Sequence, residues 1–400
     1  MSVGCERKAD LIQKLQQHLS SLGFRAGKRG LLELPGTGKE SIRSLHSAQR
    51  SGRINSNLSF IKSKLPPLNK YFASGNEIDP LRISPTLQRI SSGTWEGDLF
   101  RLASLTWSVP VSTGFGRRMR YLVWDNHHGK LIGLIAIGDP VFNLSVRDQL
   151  IGWNSKQRGD RLVNIMDAYV LGAVPPYNML LGGKLIACMV RSKNIYDDFA
   201  KQYGNTTGII STEQKKARLL AVTTSSSMGR SSIYNRLKLD GVEYFKPIGF
   251  TGGWGHFHIP DELFLELRSY LRLAKHPYAD DHQFGGGPNW RLRTIRAALS
   301  ALGFKADLLR HGIQREVFIS MLAQNAPQLF RTGEGIPNTD SLHSAEDVAS
   351  LALERWVIPR SIRREDYKHW ESNDIEASIF GSTPSRGLSH DHPTTTLQGG

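Results

Sequence analysis

MDAYVLGAVPPYNMLLGGKLIACM, Met166 to Met189, is the stretch on which the fold turns. Ala168 to Val174 is an apolar run, β-branched and aromatic enough for a buried strand. Pro175 and Pro176 stop it. Leu180, Leu181, Leu185, Ile186 and Met189 then recur at helical spacing, with Gly182 and Gly183 in the first turn. A strand, a tight turn and a Gly-rich helix start can aim free N–H groups and a positive dipole end at an anion. Lys184 adds a charge beside them. The same Gly pair equally lets a helix pack closely on a sheet, and both readings stand at this point.

Working outward, Arg120 to Trp124 (RYLVW) predicts a strand, Asp125 to Lys130 a hairpin turn with Gly129 at positive φ, and Leu131 to Ile137 the return strand. On the other side, Asn194 to Gly204 predicts a short helix with Tyr196 and Phe199 inward, followed by a strand over Leu219 to Thr224. Tyr244 to Phe250 and Trp254 to Ile259 read as closing strands, and Pro260 to Leu273 as an amphipathic helix. The expected class is α+β, with a mixed-sheet core over 114–284. A basic helical unit spans 1–73, a connector 74–113, and a helical C-terminal unit 287–371, after the Gly285–Gly287 triplet. Residues 372–400, rich in Ser, Thr, Gly and Pro, predict a disordered tail.

Four hundred residues exceed one ordinary core. Lys and Arg number 51 against 36 Asp and Glu, a net charge of +15. An excess of this size favours polyanions through the protein's field and through counterion release, and nucleic acid is the natural partner. No run of roughly 18 apolar residues appears, so no membrane span is expected. The N-terminus lacks a signal-peptide core, and Cys5 and Cys188 are the only cysteines. A disulfide scaffold and a Cys-based metal site are not expected, and a reducing cytoplasm fits.

The cations cluster. Lys39, Arg43, His46, Arg50 and Arg53 recur three to four apart on the helix expected at Lys39–Arg53, as on a phosphate-contacting helix or any solvated basic one. Arg117, Arg118, Arg120, Arg147, Arg158 and Arg161 alternate with Trp107, Trp124 and Trp153, a composition suited to phosphates and stacked bases. The alternative is a set of Arg–Asp pairs using Asp125, Asp139, Asp148 and Asp167. Ser225 to Arg236 (SSSMGRSSIYNR) combines Ser231, Ser232, Arg230 and Arg236 around one glycine, a phosphate loop or an ordinary polar one. Arg291, Arg293 and Arg296 lie on a helix over Trp290–Leu302. His127 and His128 sit in the hairpin turn and match no zinc pattern. His256 and His258 share one face of their expected strand, as ligands, as bases or simply wet.

LFRLASLTWSVPVSTGFGRRMRYLVWD (99–125), GDPVFNLSVRDQLIGW (138–153), the opening stretch, TTSSSMGRSSIYNRLK (223–238) and GPNWRLRTIRAAL (287–299) resemble the DruA family of the Druantia anti-phage defence system. The resemblance runs to about residue 330 and implies a cytoplasmic role in defence against phage, with helicase-containing neighbours, or a related mobile-element context. A second resemblance concerns the fold. Hairpin, strand, Gly-bearing helix, short helix ending in Tyr-Gly, then strand is similar to a GNAT-type acyltransferase core. Val174, Pro176, Gly182 and Lys184 fall on that superfamily's Val, Pro and loop glycines. Met179 departs from its usual polar residue, and Lys184 replaces its second loop glycine, whose bulk obstructs a coenzyme A pyrophosphate.

Three functions follow as expectations. The first is a nucleic-acid-binding defence protein using the basic helices and an Arg-rich central cleft, without a cofactor. The second is a DNA-cutting or strand-transferring enzyme, with Asp125, Asp139, Asp148 and Asp167 as catalytic carboxylates for divalent metal. The third is an acyltransferase binding acyl-CoA at Gly182–Lys184.

Overall fold

Apolar, β-branched runs pair into one seven-stranded sheet. Its strands are β1 (Pro85–Ile90), β2 (Arg118–Asp125), β3 (Lys130–Gly138), β4 (Ile165–Ala173), β5 (Ala221–Ser225), β6 (Lys246–Phe250) and β7 (Glu316–Met321). The order is β1-β2-β3-β4-β5-β7-β6, antiparallel throughout except for the parallel pair β4–β5. The computed structural model describes residues 2–26, 32–33, 36, 38–111, 116–207, 214–279, 290–304 and 306–381. The boundaries expected at 113/114 and at Gly285–Gly287 fall outside these residues, as does the tail beyond 381.

Two irregularities shape the centre. Ala136 pairs with Val170 but Ile137 with Ala168, which leaves Tyr169 as an extra residue, a bulge in β4. Strands β4 and β5 pair only from Ile165↔Ala221 to Asp167↔Thr223. Beyond that they part, and side chains bridge the gap. The Thr224 hydroxyl donates to the Ala168 carbonyl at 2.9 Å, and the Tyr234 hydroxyl to the Leu171 carbonyl at 3.2 Å.

Chain order gives the helices α1 (Ser2–Ser21), α2 (Lys39–Asn55), α3 (Leu58–Leu68), α4 (Trp95–Ser104), α5 (Ser145–Ile151), α6 (Ser155–Arg161) and α7 (Gly182–Met189). Then follow α8 (Lys193–Tyr203), α9 (Asp261–Leu273), α10 (Trp290–Leu302), α11 (Ala326–Thr332), α12 (Ala345–Ala352), α13 (Ile358–Arg363) and α14 (Asp374–Phe380). One face of the sheet packs on α7, α8 and α12 through Met166, Val222 and Phe318. The other face carries two separate apolar clusters. Leu122, Leu134 and Val170 meet α3, α4 and α14, while Ile165, Ala221 and Ile319 meet α5 and α11. Each buried Leu or Ile contributes roughly 1.5–3 kcal/mol, so both clusters hold firmly. Arg118, Gly138, Asp167 and Thr223 are register neighbours on the strip between them.

Several expectations are corrected. The N-terminal unit does not stand alone. Leu11, Leu15, Ile42 and Leu45 of α1 and α2 pack with α9 and α10 in a satellite core, whereas α3 packs on the sheet. Residues 287–371 are not all helical, because Glu316–Met321 inserts as β7 between β5 and β6. Its Val317, Phe318 and Ile319 are buried, as a strand inside a sheet requires. The connector supplies β1, an edge strand that tolerates Pro85 at its first position. Trp254–Ile259 is no strand. Gly253 and Gly255, at φ 62° and 159°, turn the chain there, so His256 and His258 do not alternate on a sheet face. Within the expected tail, α14 buries Ile375 and Ile379 completely.

Candidate nucleic-acid interface

The strip between the two apolar clusters is where the sheet's polar residues gather. Asp167, on β4, accepts a 2.8 Å hydrogen bond from the Thr223 hydroxyl of β5. Desolvation pushes its pKa up to about 6, against the pull of Thr223 and of the Arg147 charge. Beside it Tyr169 bulges from β4. Its ring lies over Gly138, where a methyl group would meet it at 3.2 Å, and its hydroxyl is buried without a partner. The Arg118 guanidinium sits 5.1 Å from that ring, and Arg120, two residues on along the same face of β2, sits 5.8 Å from the Phe100 ring.

The four candidate carboxylates do not converge. Asp125 lies at the far end of β2 from Arg118, roughly 23 Å away at about 3.3 Å per residue. It is fully buried and accepts from the Tyr177 hydroxyl at 2.9 Å, His128 Nδ1 at 2.6 Å and the Ser84 amide at 3.1 Å. The Asp79 amide donates to His128 Nε2, which completes a closed network. Asp139 is clamped by the Arg117 amide at 2.9 Å and its Nε at 2.7 Å. Asp148 takes Arg147 on one oxygen, at 2.7 and 2.9 Å, and Arg158 on the other at 2.9 Å. A two-metal centre needs its carboxylates around ions about 4 Å apart; Asp125 is too far along β2 to join the others, and Asp139 and Asp148 are engaged by arginines. Among the described residues no group of three or more His, Cys, Asp or Glu is placed to hold a metal ion.

The two distinctive loops do come together, but they satisfy each other. The Gly182 amide donates to the Tyr177 carbonyl at 2.8 Å, and the Lys184 amide to that of Leu181 at 2.9 Å. Ile233 covers Gly183, 3.5 Å from where a Cβ would stand. Lys184 Nζ donates to the carbonyls of Ile233 and Asn235, both at 3.2 Å. The Ser231 hydroxyl accepts from the amides of Ile233 and Tyr234, and its own amide donates to the Glu316 carboxylate. The helix start expected to face an anion therefore faces the chain's own loop. Ser232 alone of this set stays exposed.

The family model described as "Druantia protein DruA" matches residues 36–332. The chain belongs to the DruA family. It is similar to the Druantia protein DruA of Escherichia coli (strain UMEA 4076-1), 64% identical over 369 residues, covering 92% of this chain and 91% of that protein. No solved structure matches it.

In this DruA chain the expected cations divide into three groups. Arg43, Arg117, Arg147, Arg158 and Arg291 are held by carboxylates, respectively Glu40, Asp139, Asp148, Asp148 and Asp261. For these the Arg–Asp knitting foreseen as the alternative is what forms. Arg50 and Arg161 cap helices: Arg50 donates to the Ser378 and Ile379 carbonyls of α14, and Arg161 to those of Phe330, Arg331 and Thr332 at the C-terminal end of α11. Lys39, Arg118, Arg120, Arg230, Arg236 and Arg293 have no carboxylate within ion-pair distance among the described residues.

Sequence reasoning missed two DruA residues. Tyr169 passed as a core aromatic, since a bulge depends on the partner strand. Arg315 received no role, since nothing local distinguishes it from any other arginine. His46 lies within reach of its charge, His256 is half-buried near Arg291, and His258 packs against His311, 6.0 Å between ring centroids, with His311 also within reach of Arg315. Desolvation lowers their pKa values to about 4, 4, 4 and 3.

Proposed function

We propose that this protein is the nucleic-acid-binding component of the Druantia anti-phage defence system and grips DNA through cations that no carboxylate neutralises. The observation that carries this is the set Lys39, Arg118, Arg120, Arg230, Arg236 and Arg293, uncancelled in a chain of net charge +15. Arg118 and Arg120 are its best-placed members, on one face of β2, Arg118 against the Tyr169 ring and Arg120 against the Phe100 ring. An arginine that is free of acids and backed by an aromatic ring suits a phosphate or a stacked base.

The reading includes a cytoplasmic setting and a helicase-bearing partner of the same system. Among the described residues no helix is long and apolar enough to cross a membrane. It also includes a GNAT-like ancestry for the sheet, supported by the run of hairpin β2–β3, strand β4, helix α7, helix α8 ending at Tyr203, and strand β5. Fold of that kind does not carry acyl transfer with it.

The test is binding of purified protein to single- and double-stranded DNA across a salt series, with divalent metal in half the samples and products run on a denaturing gel. Salt-sensitive binding to DNA that stays intact is the expected result, with the slope of log K against log salt reporting the phosphates engaged. No binding at low salt would overturn the reading. Metal-dependent fragments would replace binding with cutting.

A further inference from the structure

We propose that Arg315 and His46 form the donor pair of a phosphate-binding site, set between α2 and the segment 311–315. Arg315 keeps part of its surface in solvent, but its Nε is sealed from water and meets no acceptor. No carboxylate lies within ion-pair distance of it among the described residues, and burial holds its pKa below the usual arginine value. His46 is only 1% exposed, and its Nε2 is likewise sealed and unpartnered. Its Nδ1 lies 3.1 Å from the Gln49 side-chain oxygen, which assigns the neutral ring's proton to Nδ1 and leaves Nε2 bare.

The groups are neighbours. A Cβ at Gly229 would stand 3.6 Å from Ile42 Cδ1 of α2 and 3.7 Å from the carbonyl oxygen of Gln314, so α2 and the residue before Arg315 flank the same glycine, and the Arg315 charge reaches both His46 and His311. The Phe257 ring lies between the two imidazoles, 4.4 Å from His46 and 4.7 Å from His311, and closes the site on its apolar side. His311 is itself satisfied, with its Nδ1 accepting from the Ile313 amide at 3.1 Å.

A guanidinium withdrawn from water without a counter-charge is costly, and every group identified around this one is cationic or neutral. An anion with several oxygens removes that cost. A phosphate group matches the planar fork of the guanidinium, and a second oxygen accepts from His46 Nε2, which takes up a proton from solvent as the anion enters. The phosphate is either free, as in an inorganic ion or a nucleotide, or part of a nucleic-acid backbone. The site does not depend on the nucleic-acid reading above.

The experiment is a thermal melt of the full chain in phosphate-free buffer and with inorganic phosphate, for the wild type, Arg315→Gln, Arg315→Lys and His46→Gln. Phosphate at about ten times its Kd should raise the wild-type Tm by roughly 2 °C. Arg315→Gln should lose the response while melting no lower than the wild type without phosphate, because it removes an uncompensated charge. Arg315→Lys and His46→Gln should keep a reduced response. An unresponsive wild type, or an Arg315→Gln variant that responds like it, overturns the site. A labelled single-stranded oligonucleotide separates the sources. If Arg315→Gln weakens its binding about tenfold and lowers the salt slope by about 0.7, the phosphate belongs to a strand. If DNA binding is unchanged while the phosphate response is lost, the ligand is free phosphate or a nucleotide. A wild type that ignores DNA but responds to phosphate sinks the nucleic-acid reading and leaves this site standing.

Discussion

Thr223 donates its hydroxyl to Asp167 at 2.8 Å across the parallel strand pair, the one direct hydrogen bond to that carboxyl among the described residues. Its pKa is raised from 3.8 to about 6, so between those values the folded state holds a proton that the unfolded state has released. Stability therefore falls as pH rises from about 4 to 6 and stays at the lower level above that. Asp167→Asn should remove this slope. It should stabilise the protein by up to about 3 kcal/mol at pH 8 and leave it unchanged near pH 4, measured by urea unfolding at the two pH values.

The buried histidines act in the opposite direction. His46, His256, His258 and His311 have folded-state pKa values of about 4, 4, 4 and 3 against 6.5 unfolded. As pH falls through this window the unfolded state binds protons that the folded state refuses, so stability drops. The satellite core of α1, α2, α9 and α10 should open between pH 6.5 and 4. Hydrogen exchange across that window should show α1 and α9 losing protection before β3 and β4. Simultaneous loss in both would refute a separate acid-labile unit.

Gly182 and Gly183 separate packing from ligand binding. A methyl group at Gly182 would stand 2.6 Å from the Tyr177 carbonyl oxygen, which is backbone and cannot yield cheaply. At Gly183 it would meet only the Ile233 side chain, at 3.5 Å. Gly182→Ala should cost about 2 kcal/mol or more and Gly183→Ala less than about 1 kcal/mol, as for overpacked and ordinary contacts. Equal effects in chemical denaturation would contradict this geometry.

Arginines 147 and 118 should respond differently to truncation. Arg147 is fully buried, paired with Asp148 and bonded to the carbonyls of Val141 and Phe142 at 2.9 Å each. Arg147→Ala leaves Asp148 with Arg158 alone and takes the donor from the Val141 and Phe142 carbonyls, and should destabilise by about 2–4 kcal/mol. Arg118→Gln with Arg120→Gln should change stability little and weaken DNA binding about tenfold, with a shallower salt slope. Binding by filter retention and stability by urea titration, run on the same preparations, distinguish the two outcomes.

Much of the architecture was legible from local pattern. The RYLVW strand, the Asp125–Lys130 turn with Gly129 at φ 65°, the helix from Lys39 and the Gly-bearing helix after β4 all follow from periodicity and turn chemistry. β7 was not legible. Within an arginine-rich stretch, EVFISM becomes a strand only because β5 and β6 present free edges to it. Nor was α14, whose Ile375 and Ile379 need the α3–α4 surface before they have anything to bury against.

The site divides in the same way. By itself the sequence determined the charge excess, the clustering of arginines, the two loops and the family, because these are properties of composition and of contiguous strings. Only tertiary structure decided which charges are spent. Asp139 reaches Arg117 across twenty-two residues, and Arg50 caps a helix more than three hundred residues away. The sequence lists both alike as charged residues. Whether a guanidinium faces a carboxylate, a carbonyl or nothing depends on which segments the apolar clusters bring together. In that respect Arg118 and Arg315 differ from Arg147.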